Sequence, residues 1–305
     1  MAAPQDYDST HLLEQPQELK NRAERDGFLF FRKLLPQDPI MELRKEALSL
    51  VQNEGLLNPD HDLIAGIADL EKCRDFNAFS DTCLSRDAYN AVQSLPLFHE
   101  LAHHPKLLKV FSTLFGEKPL VHPRHIMRLV VPGKNVHPTA PHQDIVYISG
   151  TENTWTSWIP LGDCSREIGN LSILKGSHRC GVLPVHRGLG AGGLECELPE
   201  NQLEWIELDY QAGDIITFTS TTVHKSLPTQ RPERVRLSLD YRYQPLSQPV
   251  HVSSLKPHMG VLSWDEIYKS WPKDDYKYYW EKESLTTTKE TSFERFPQLA
   301  DGMAP

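Results

Sequence analysis

Apolar side chains in the first 118 residues recur mostly with the spacing of an α-helix. Residues 16–25, 36–53 and 96–115 repeat them about every 3.6 positions, which predicts three helices. Glycines at 27 and 116 follow the first and the third of these segments and indicate helix ends. The apolar run FLFFRKLL, residues 28–35, predicts a strand. We therefore expect a helical N-terminal part over residues 1–118.

The pattern changes near residue 119, where short runs rich in Val, Ile, Thr and Trp alternate with Gly, Pro and Asp. No helical crossover separates these runs, so the pattern favours an antiparallel sandwich or a double-stranded β-helix over a parallel sheet. The glycine-rich segment 188–193 lacks the strand-before, helix-after setting of a phosphate loop and is interpreted as a flexible loop. The predicted strands are residues 125–131, 145–149, 154–161, 171–174, 204–208, 214–220 and 235–243.

The segment after residue 249 is rich in Trp, Tyr and charged side chains. We interpret residues 250–305 as a helical, aromatic C-terminal extension that packs on the β core of residues 119–249. The alternative is a lid that shapes a substrate pocket or a dimer contact. Either way, the pattern predicts a single domain over residues 1–305, as a monomer or a homodimer.

The composition argues against several classes of protein, namely nucleic-acid-binding, membrane and secreted proteins. With 41 acidic against 32 basic residues the net charge is −9, which argues against nucleic acid or anionic lipid as the main partner. No apolar stretch approaches the roughly 18 residues of a membrane span, and the N-terminus does not read as a signal peptide. Five scattered cysteines without a CxxC pair favour a reduced, cytoplasmic location.

The segment PHQDIVY, residues 141–147, carries the candidate chemistry. If it is a strand, His142 and Asp144 share one face because side chains alternate. His224 follows 82 positions after His142, beyond a predicted strand, and can supply a third ligand. Two imidazoles and one carboxylate on one face of an octahedron are typical of iron(II) oxygenases, since three coordination sites stay open.

A strand rich in arginine follows His224 and places Arg234 and Arg236 on one face. If this face points inward, the guanidinium groups require a carboxylate, and a bidentate pair satisfies them. In the alternative, the arginines face solvent and the intervening Val235, Leu237 and Leu239 face the core. If helices cover the outer face of the sheet, the apolar residues can be buried there while the arginines point inward. Arg128, on the preceding predicted strand, is a further candidate contact for a carboxylate ligand.

Several motifs in order resemble the phytanoyl-CoA dioxygenase family of Fe(II)- and 2-oxoglutarate-dependent oxygenases. They are DGF at 26–28, HQD at 142–144, GNLSILKGSH at 169–178, GD at 213–214, and VHKS at 223–226 followed by RVRLSLDYRYQP at 234–245. The resemblance covers about residues 17–245. It implies a mainly β fold with flanking α: a double-stranded β-helix (jelly roll, cupin-like) with N-terminal helices.

The resemblance also implies roles for individual residues. His142, Asp144 and His224 match the iron ligands, and the implied co-substrates are 2-oxoglutarate and O2. Arg234 matches the arginine that binds the distal carboxylate of 2-oxoglutarate, with Arg236 as its rival. Asp144 fills the position that halogenating relatives leave small, so hydroxylation is favoured. The remaining two matches are Ser226, which assists that carboxylate, and Trp158, beside the co-substrate.

Two alternatives stay open from the sequence. One is a metal-dependent cupin-type enzyme that does not use 2-oxoglutarate, and the arginine strand distinguishes the two because it has no purpose in that chemistry. The other is a non-catalytic binding protein on the same fold. The substrate is a small molecule of unspecified identity, contacted by residues 56–92, 180–202 and the aromatic extension.

Overall fold

The computed structural model describes residues 4–80, 82–131, 136–200 and 202–303. Its N-terminal part is helical, and the helices predicted at 16–25 and 36–53 are confirmed. The helix predicted over 96–115 is instead two helices, because the residue before Pro105 avoids the helical conformation and the chain restarts there. The helices are α1 (Pro4–Tyr7), α2 (Pro16–Asp26), α3 (Gln37–Asn53), α4 (Leu70–Arg74), α5 (Arg86–Gln93), α6 (Pro96–Glu100) and α7 (Pro105–Phe115).

The strands are β1 (Phe28–Phe31), β2 (Pro119–Val121), β3 (Ile126–Val130), β4 (Trp155–Pro160), β5 (Leu171–Leu174), β6 (Val185–Arg187), β7 (Leu194–Cys196), β8 (Trp205–Glu207), β9 (Ile215–Thr219), β10 (His224–Ser226), β11 (Arg236–Pro245), β12 (Val250–His251) and β13 (Thr287–Thr288). The larger of two antiparallel sheets has the order β1-β9-β4-β11-β2, with β3 also paired to β11, and the smaller has the order β10-β5-β8. The strand predicted at 28–35 is confirmed only over residues 28–31, because the chain turns at Lys33, whose φ is +47°. Six of the seven strand predictions after residue 119 are confirmed.

The strand predicted at 145–149 is wrong, because Ile145–Ile148 form the short helix α8. The amides of Tyr147 and Ile148 both donate to the carbonyl of Asp144 at 3.0 Å. A short apolar run has no periodicity that separates a buried strand from a buried helix. Packing decides here, since Ile145 lies in an apolar cluster with Val223 and Leu299.

The two sheets face each other across an apolar core. Phe30 of β1 and Phe218 of β9 belong to the same cluster as Ile173 of β5 and Ile206 of β8. The opposite side of the large sheet is covered by α2, α3 and α5–α7, whose apolar faces pack in a second cluster with β11. Because helices cover that side, every residue of β11 is buried.

The C-terminal extension packs on the edge of the large sheet. It contains α9 (Trp264–Tyr268) and α10 (Ser292–Arg295). Trp271 and Trp280 lie in one apolar cluster with Leu120 of β2 and Val250 of β12. Among the described residues, no helix combines the length and the apolar character that crossing a membrane requires.

Candidate metal centre

Three buried side chains converge between the two sheets. Oδ1 of Asp144 lies 3.9 Å from Nε2 of His142 and 3.9 Å from Nε2 of His224. The two imidazole rings are 4.1 Å apart between centroids. Each residue offers one ligand atom, and these atoms lie within 4.8 Å of one another. No other group of at least three such donors occurs in the described part of the chain.

The backbone brings these residues together differently from the predicted strand. His142 and His224 form a single antiparallel bridge, with both N–H···O distances at 3.0 Å. The chain then turns, and Asp144 caps the N-terminus of α8 in a helical conformation. Side-chain alternation along a regular strand is therefore not what orients His142 and Asp144. Gln143 points away from the centre and bonds to Gly181 and Thr221 carbonyls at 2.8 and 2.6 Å.

Both imidazoles present an unprotonated Nε2 to the centre. The Nδ1 of His142 lies 2.8 Å from the carbonyl of Ala140, and that of His224 lies 3.1 Å from the carbonyl of Thr222. A carbonyl only accepts, so Nδ1 carries the proton in each ring. Burial, followed by the neighbouring His224, lowers the pKa of His142 to about 3. Burial also lowers the pKa of His224. Both rings are therefore neutral near pH 7, as metal coordination requires.

Asp144 is held as a carboxylate in a fixed orientation. Its Oδ2 accepts a hydrogen bond from the hydroxyl of Thr156 and lies 3.5 Å from Nη2 of Arg242. Burial by itself raises the pKa of Asp144, but Arg242, both imidazoles and Thr156 outweigh it and lower the pKa below its usual value. Oδ1 stays directed at the two histidines. The donor set fits iron(II), because two neutral imidazoles and one carboxylate occupy one face.

One cavity opens onto the centre, and a second cavity shares Ser80, Arg128 and Gly190 with the first. The first, which we call the metal cavity, has a volume of about 510 Å³ and is lined by His142 and Asp144. The second, the Arg236 cavity, has a volume of about 530 Å³ and is lined by Arg236 and Ser226. Gly190, in the glycine-rich segment 188–193, lines both. Its φ is +86° and a Cβ there would lie 2.4 Å from the carbonyl oxygen of Pro138, so only glycine fits this position.

The structure separates the two arginines proposed from the sequence. Arg236 is the first residue of β11 and is buried, with Nη1 3.0 Å from the hydroxyl of Ser238. Its Nε has no hydrogen-bond partner, and no carboxylate of the described residues forms an ion pair with it. Arg234 precedes β11, pairs its backbone with Ile67, and lines neither cavity.

The other three candidates occupy different positions. Ser226 lines the Arg236 cavity and lies on β10, two residues after His224. Arg128 lines both cavities, but its Nε already lies 3.0 Å from Oδ2 of Asp240. Trp158 lines neither cavity and packs against Tyr210 in the core between the sheets, with 4.9 Å between the ring centroids.

Arg242 and Thr156 are not among the site residues predicted from the sequence. A signal for Arg242 existed, because the alternation that pairs Arg236 with Ser238 and Asp240 continues to Arg242 on the same face of β11. Thr156 had no such signal. It lies directly opposite Arg242 in the register of β4 and β11, so only strand pairing brings both to Asp144.

Comparisons with known proteins are consistent with this centre. A family model described as Phytanoyl-CoA dioxygenase (PhyH) matches residues 23–235. The 1-deoxypentalenic acid 11-beta-hydroxylases of Streptomyces exfoliatus and Streptomyces arenae are each 27% identical, over 83% of this chain and 89% of their own length.

Solved structures with low identity share the fold. The epimerase SnoN in complex with Fe3+, alpha ketoglutarate and nogalamycin RO gives a TM-score of 0.57 at 19% identity, covering 82% of this chain and 92% of that one. The carbocyclase SnoK from nogalamycin biosynthesis gives a TM-score of 0.51 at 19% identity, covering 77% of this chain and 85% of that one.

A buried group of two histidines and one carboxylate between antiparallel sheets defines a non-haem metal enzyme of the iron oxygenase type. The family match spans most of the chain and is more specific: the chain belongs to the phytanoyl-CoA dioxygenase family. The predicted class of enzyme, an Fe(II)- and 2-oxoglutarate-dependent oxygenase, and its cofactors are thereby confirmed.

Proposed function

We propose that this protein hydroxylates a C–H bond of a small molecule, with iron(II) held by His142, Asp144 and His224 in a jelly-roll core. The observation that carries the proposal is the convergence of three buried donor atoms within 4.8 Å beside an open cavity. The two relatives at 27% identity are 11-beta-hydroxylases of 1-deoxypentalenic acid, and this supports hydroxylation. Asp144 occupies a coordination position that chloride needs in halogenation, which disfavours that reaction.

Bound iron, together with 2-oxoglutarate and O2, supplies the oxidising power for the C–H bond. The chain's own residues bind and orient the reactants. Thr156 and Arg242 fix the carboxylate of Asp144 so that Oδ1 faces the metal. The carbonyls of Ala140 and Thr222 hold both imidazoles in the tautomer that leaves Nε2 free.

Arg236 is the better candidate to bind the distal carboxylate of 2-oxoglutarate. A buried guanidinium without an acidic partner is unfavourable unless a ligand carboxylate neutralises it. Arg236 meets that description, and Ser226 on the neighbouring wall can donate a hydroxyl hydrogen bond to the same carboxylate. A cupin-type enzyme without 2-oxoglutarate gives this buried arginine no purpose. We further propose an intracellular enzyme, supported by five free cysteines, that acts as a monomer or a homodimer.

The test is anaerobic titration of the apoprotein with Fe(II) and 2-oxoglutarate. We expect a weak visible absorption band from chelated iron, and succinate on exposure to O2. Asp144→Ala removes one of the three metal ligands. It should abolish the absorption band and lower the turnover rate by at least roughly 10³-fold, because two ligands no longer hold the metal ion. Asp60→Ala, at an exposed position, is the matched control and should behave as the wild type. Absence of the band in the wild-type protein would refute the proposal.

A further inference from the structure

The metal cavity is unusually basic for a protein with a net charge of −9. Its walls include Arg124, Arg128 and Arg242, whereas Asp144 is the one carboxylate among its described lining residues. Two of these arginines already have acidic partners. Arg242 lies 3.5 Å from Asp144, and Arg128 lies 3.0 Å from Asp240. The uncompensated positive charge therefore belongs to Arg124.

Arg124 is half-buried and precedes β3. Its Nε donates to the carbonyl of Lys256 at 3.2 Å, which anchors the side chain to the C-terminal extension. No carboxylate of the described residues forms an ion pair with Arg124. Burial and then the charge of Arg242 lower its pKa, but a guanidinium stays protonated at neutral pH. An unpaired guanidinium in a cavity is unfavourable until an anion binds.

The remaining polar groups of the cavity add no charge near neutral pH. Burial lowers the pKa of His122 to about 4 and that of His258 to about 3, so both imidazoles are neutral. His122 is also fixed, since its Nε2 lies 2.8 Å from Oε1 of Gln244. Ile126 and Ile148 line the same cavity and provide apolar wall. The cavity therefore combines an apolar body with one available positive charge.

We propose that the substrate is a small carboxylic acid with an apolar skeleton, and that Arg124 binds its carboxylate. The proposal rests on the proposed oxygenase function and names the substrate class of that site. One guanidinium without a second available cation suits a monoanion, and its planar fork matches a carboxylate in a bidentate pair. A volume of about 510 Å³ is in the range of pockets that enclose a single small molecule.

This arrangement also gives Arg124 a role in specificity. A carboxylate held at Arg124 fixes one end of the substrate in the cavity whose wall contains His142 and Asp144. The apolar skeleton then lies between the anchored end and the metal centre. The length of the apolar skeleton then decides which of its carbons lies next to the iron.

The experiment uses the full chain loaded with Fe(II) and 2-oxoglutarate without O2. The probes are alicyclic, aromatic and terpenoid carboxylic acids, each paired with its methyl ester and its primary amide, together with matched alkyl phosphates and amines. The readout is the perturbation of the iron–2-oxoglutarate absorption band as a probe binds. We expect a subset of the acids to shift the band and the paired esters and amides to bind roughly 10- to 100-fold more weakly.

The variant Arg124→Gln should weaken the binding of those acids that shift the band in the wild type, by a similar factor. Arg124→Lys should retain part of the affinity. Arg74→Gln, at an exposed position, is the control and should change nothing. Esters or amides that bind as well as the acids would overturn the proposal, as would a preference for phosphates, unchanged acid binding in Arg124→Gln, or no response to any acid at millimolar concentration. Because the band itself does not depend on Arg124, its absence indicates failure of the proposed function instead.

Discussion

The two faces of β11 are both buried, but for different physical reasons. The outer face packs against helices: the ring of Tyr243 stacks on Phe111 at 4.0 Å, and the hydroxyl of Tyr241 donates to the carbonyl of Phe98. The inner face presents Arg236, Ser238, Asp240, Arg242 and Gln244 to the space between the sheets. One face is thus buried by the hydrophobic effect, and the other is buried around charges that need partners.

This difference assigns separate tasks to alternate residues of one strand. Arg242 is satisfied by Asp144, and Arg236 has no acidic partner among the described residues, which leaves it available for an anionic ligand. Substitutions on the outer face should therefore change the free energy of unfolding, and substitutions on the inner face should change ligand binding.

The largest effect is expected from Leu239→Ala on the outer face. Leu239 is fully buried among the helices, so the lost contacts and the resulting cavity should lower the free energy of unfolding by about 2–5 kcal/mol. Urea denaturation measures this change, and Leu198→Ala, at an exposed leucine, is the control. The affinity of the folded protein for 2-oxoglutarate should be unchanged. A loss of that affinity would show that the two faces are not separable.

Arg236→Ala on the inner face should weaken the binding of 2-oxoglutarate and leave the free energy of unfolding nearly unchanged. Loss of a charge-assisted bond to 2-oxoglutarate should raise the concentration of 2-oxoglutarate required by roughly 10- to 100-fold, with little loss of stability. The measurements are the KM for 2-oxoglutarate in succinate release and the urea midpoint. Arg234→Ala is the matched control and should leave the KM near the wild-type value. A larger increase of the KM in Arg234→Ala than in Arg236→Ala would show that Arg234 binds the distal carboxylate of 2-oxoglutarate.

Thr156→Val tests whether Thr156, which lies opposite Arg242 in the β4–β11 pair, orients the carboxylate of Asp144. The substitution keeps the side-chain shape and removes the hydroxyl that bonds to Oδ2 of Asp144. Loss of such an orienting contact should weaken iron binding by about 10-fold, measured by Fe(II) titration of the absorption band. Thr154→Val, whose hydroxyl bonds to the carbonyl of Thr151, is the control. Equal behaviour of the two variants would contradict the orienting role.

Histidines on the outer side of β11 should make the stability of the fold depend on pH. Burial lowers the pKa of His99 and of His103 to about 4, and it lowers the pKa of His125, which packs on Tyr241, well below its usual value. The unfolded chain therefore binds more protons than the folded chain as pH falls below about 6.5. Stability should be fully present above that pH and decline towards pH 4, by about 2 kcal/mol at pH 5 for a histidine whose pKa falls from 6.5 to about 4.

Urea denaturation of the apoprotein between pH 7.5 and pH 5 measures this decline. His103→Phe should flatten the dependence, because His103 stacks on Tyr276 and its buried Nε2 has no hydrogen-bond partner. His61→Gln, at an exposed position, should leave it unchanged. A pH-independent unfolding free energy in the wild type would contradict the prediction.

Local patterns accounted for much of the fold. The spacing near 3.6 located α2 and α3, and β-branched and aromatic runs located six strands of the core. The same approach failed at Ile145–Ile148, where four apolar residues carry no period, and at His104–Pro105, where one apparent helix is two. It also missed the short strands β2, β6, β7, β10, β12 and β13, because two or three residues are too few to show alternation.

Local sequence was enough to predict the types of metal ligand and the strand that carries the arginines. His142, Asp144, His224 and the alternation after residue 234 are local features, and motif order linked them to one family. The folded chain is needed to see which arginine is buried without an acidic partner, because Arg234 precedes β11 and Arg236 begins it. Tertiary structure also decided that Thr156 and Arg242 meet at Asp144, and that Arg124 joins the metal cavity. These contacts depend on strand register and helix cover, which no short stretch of sequence contains.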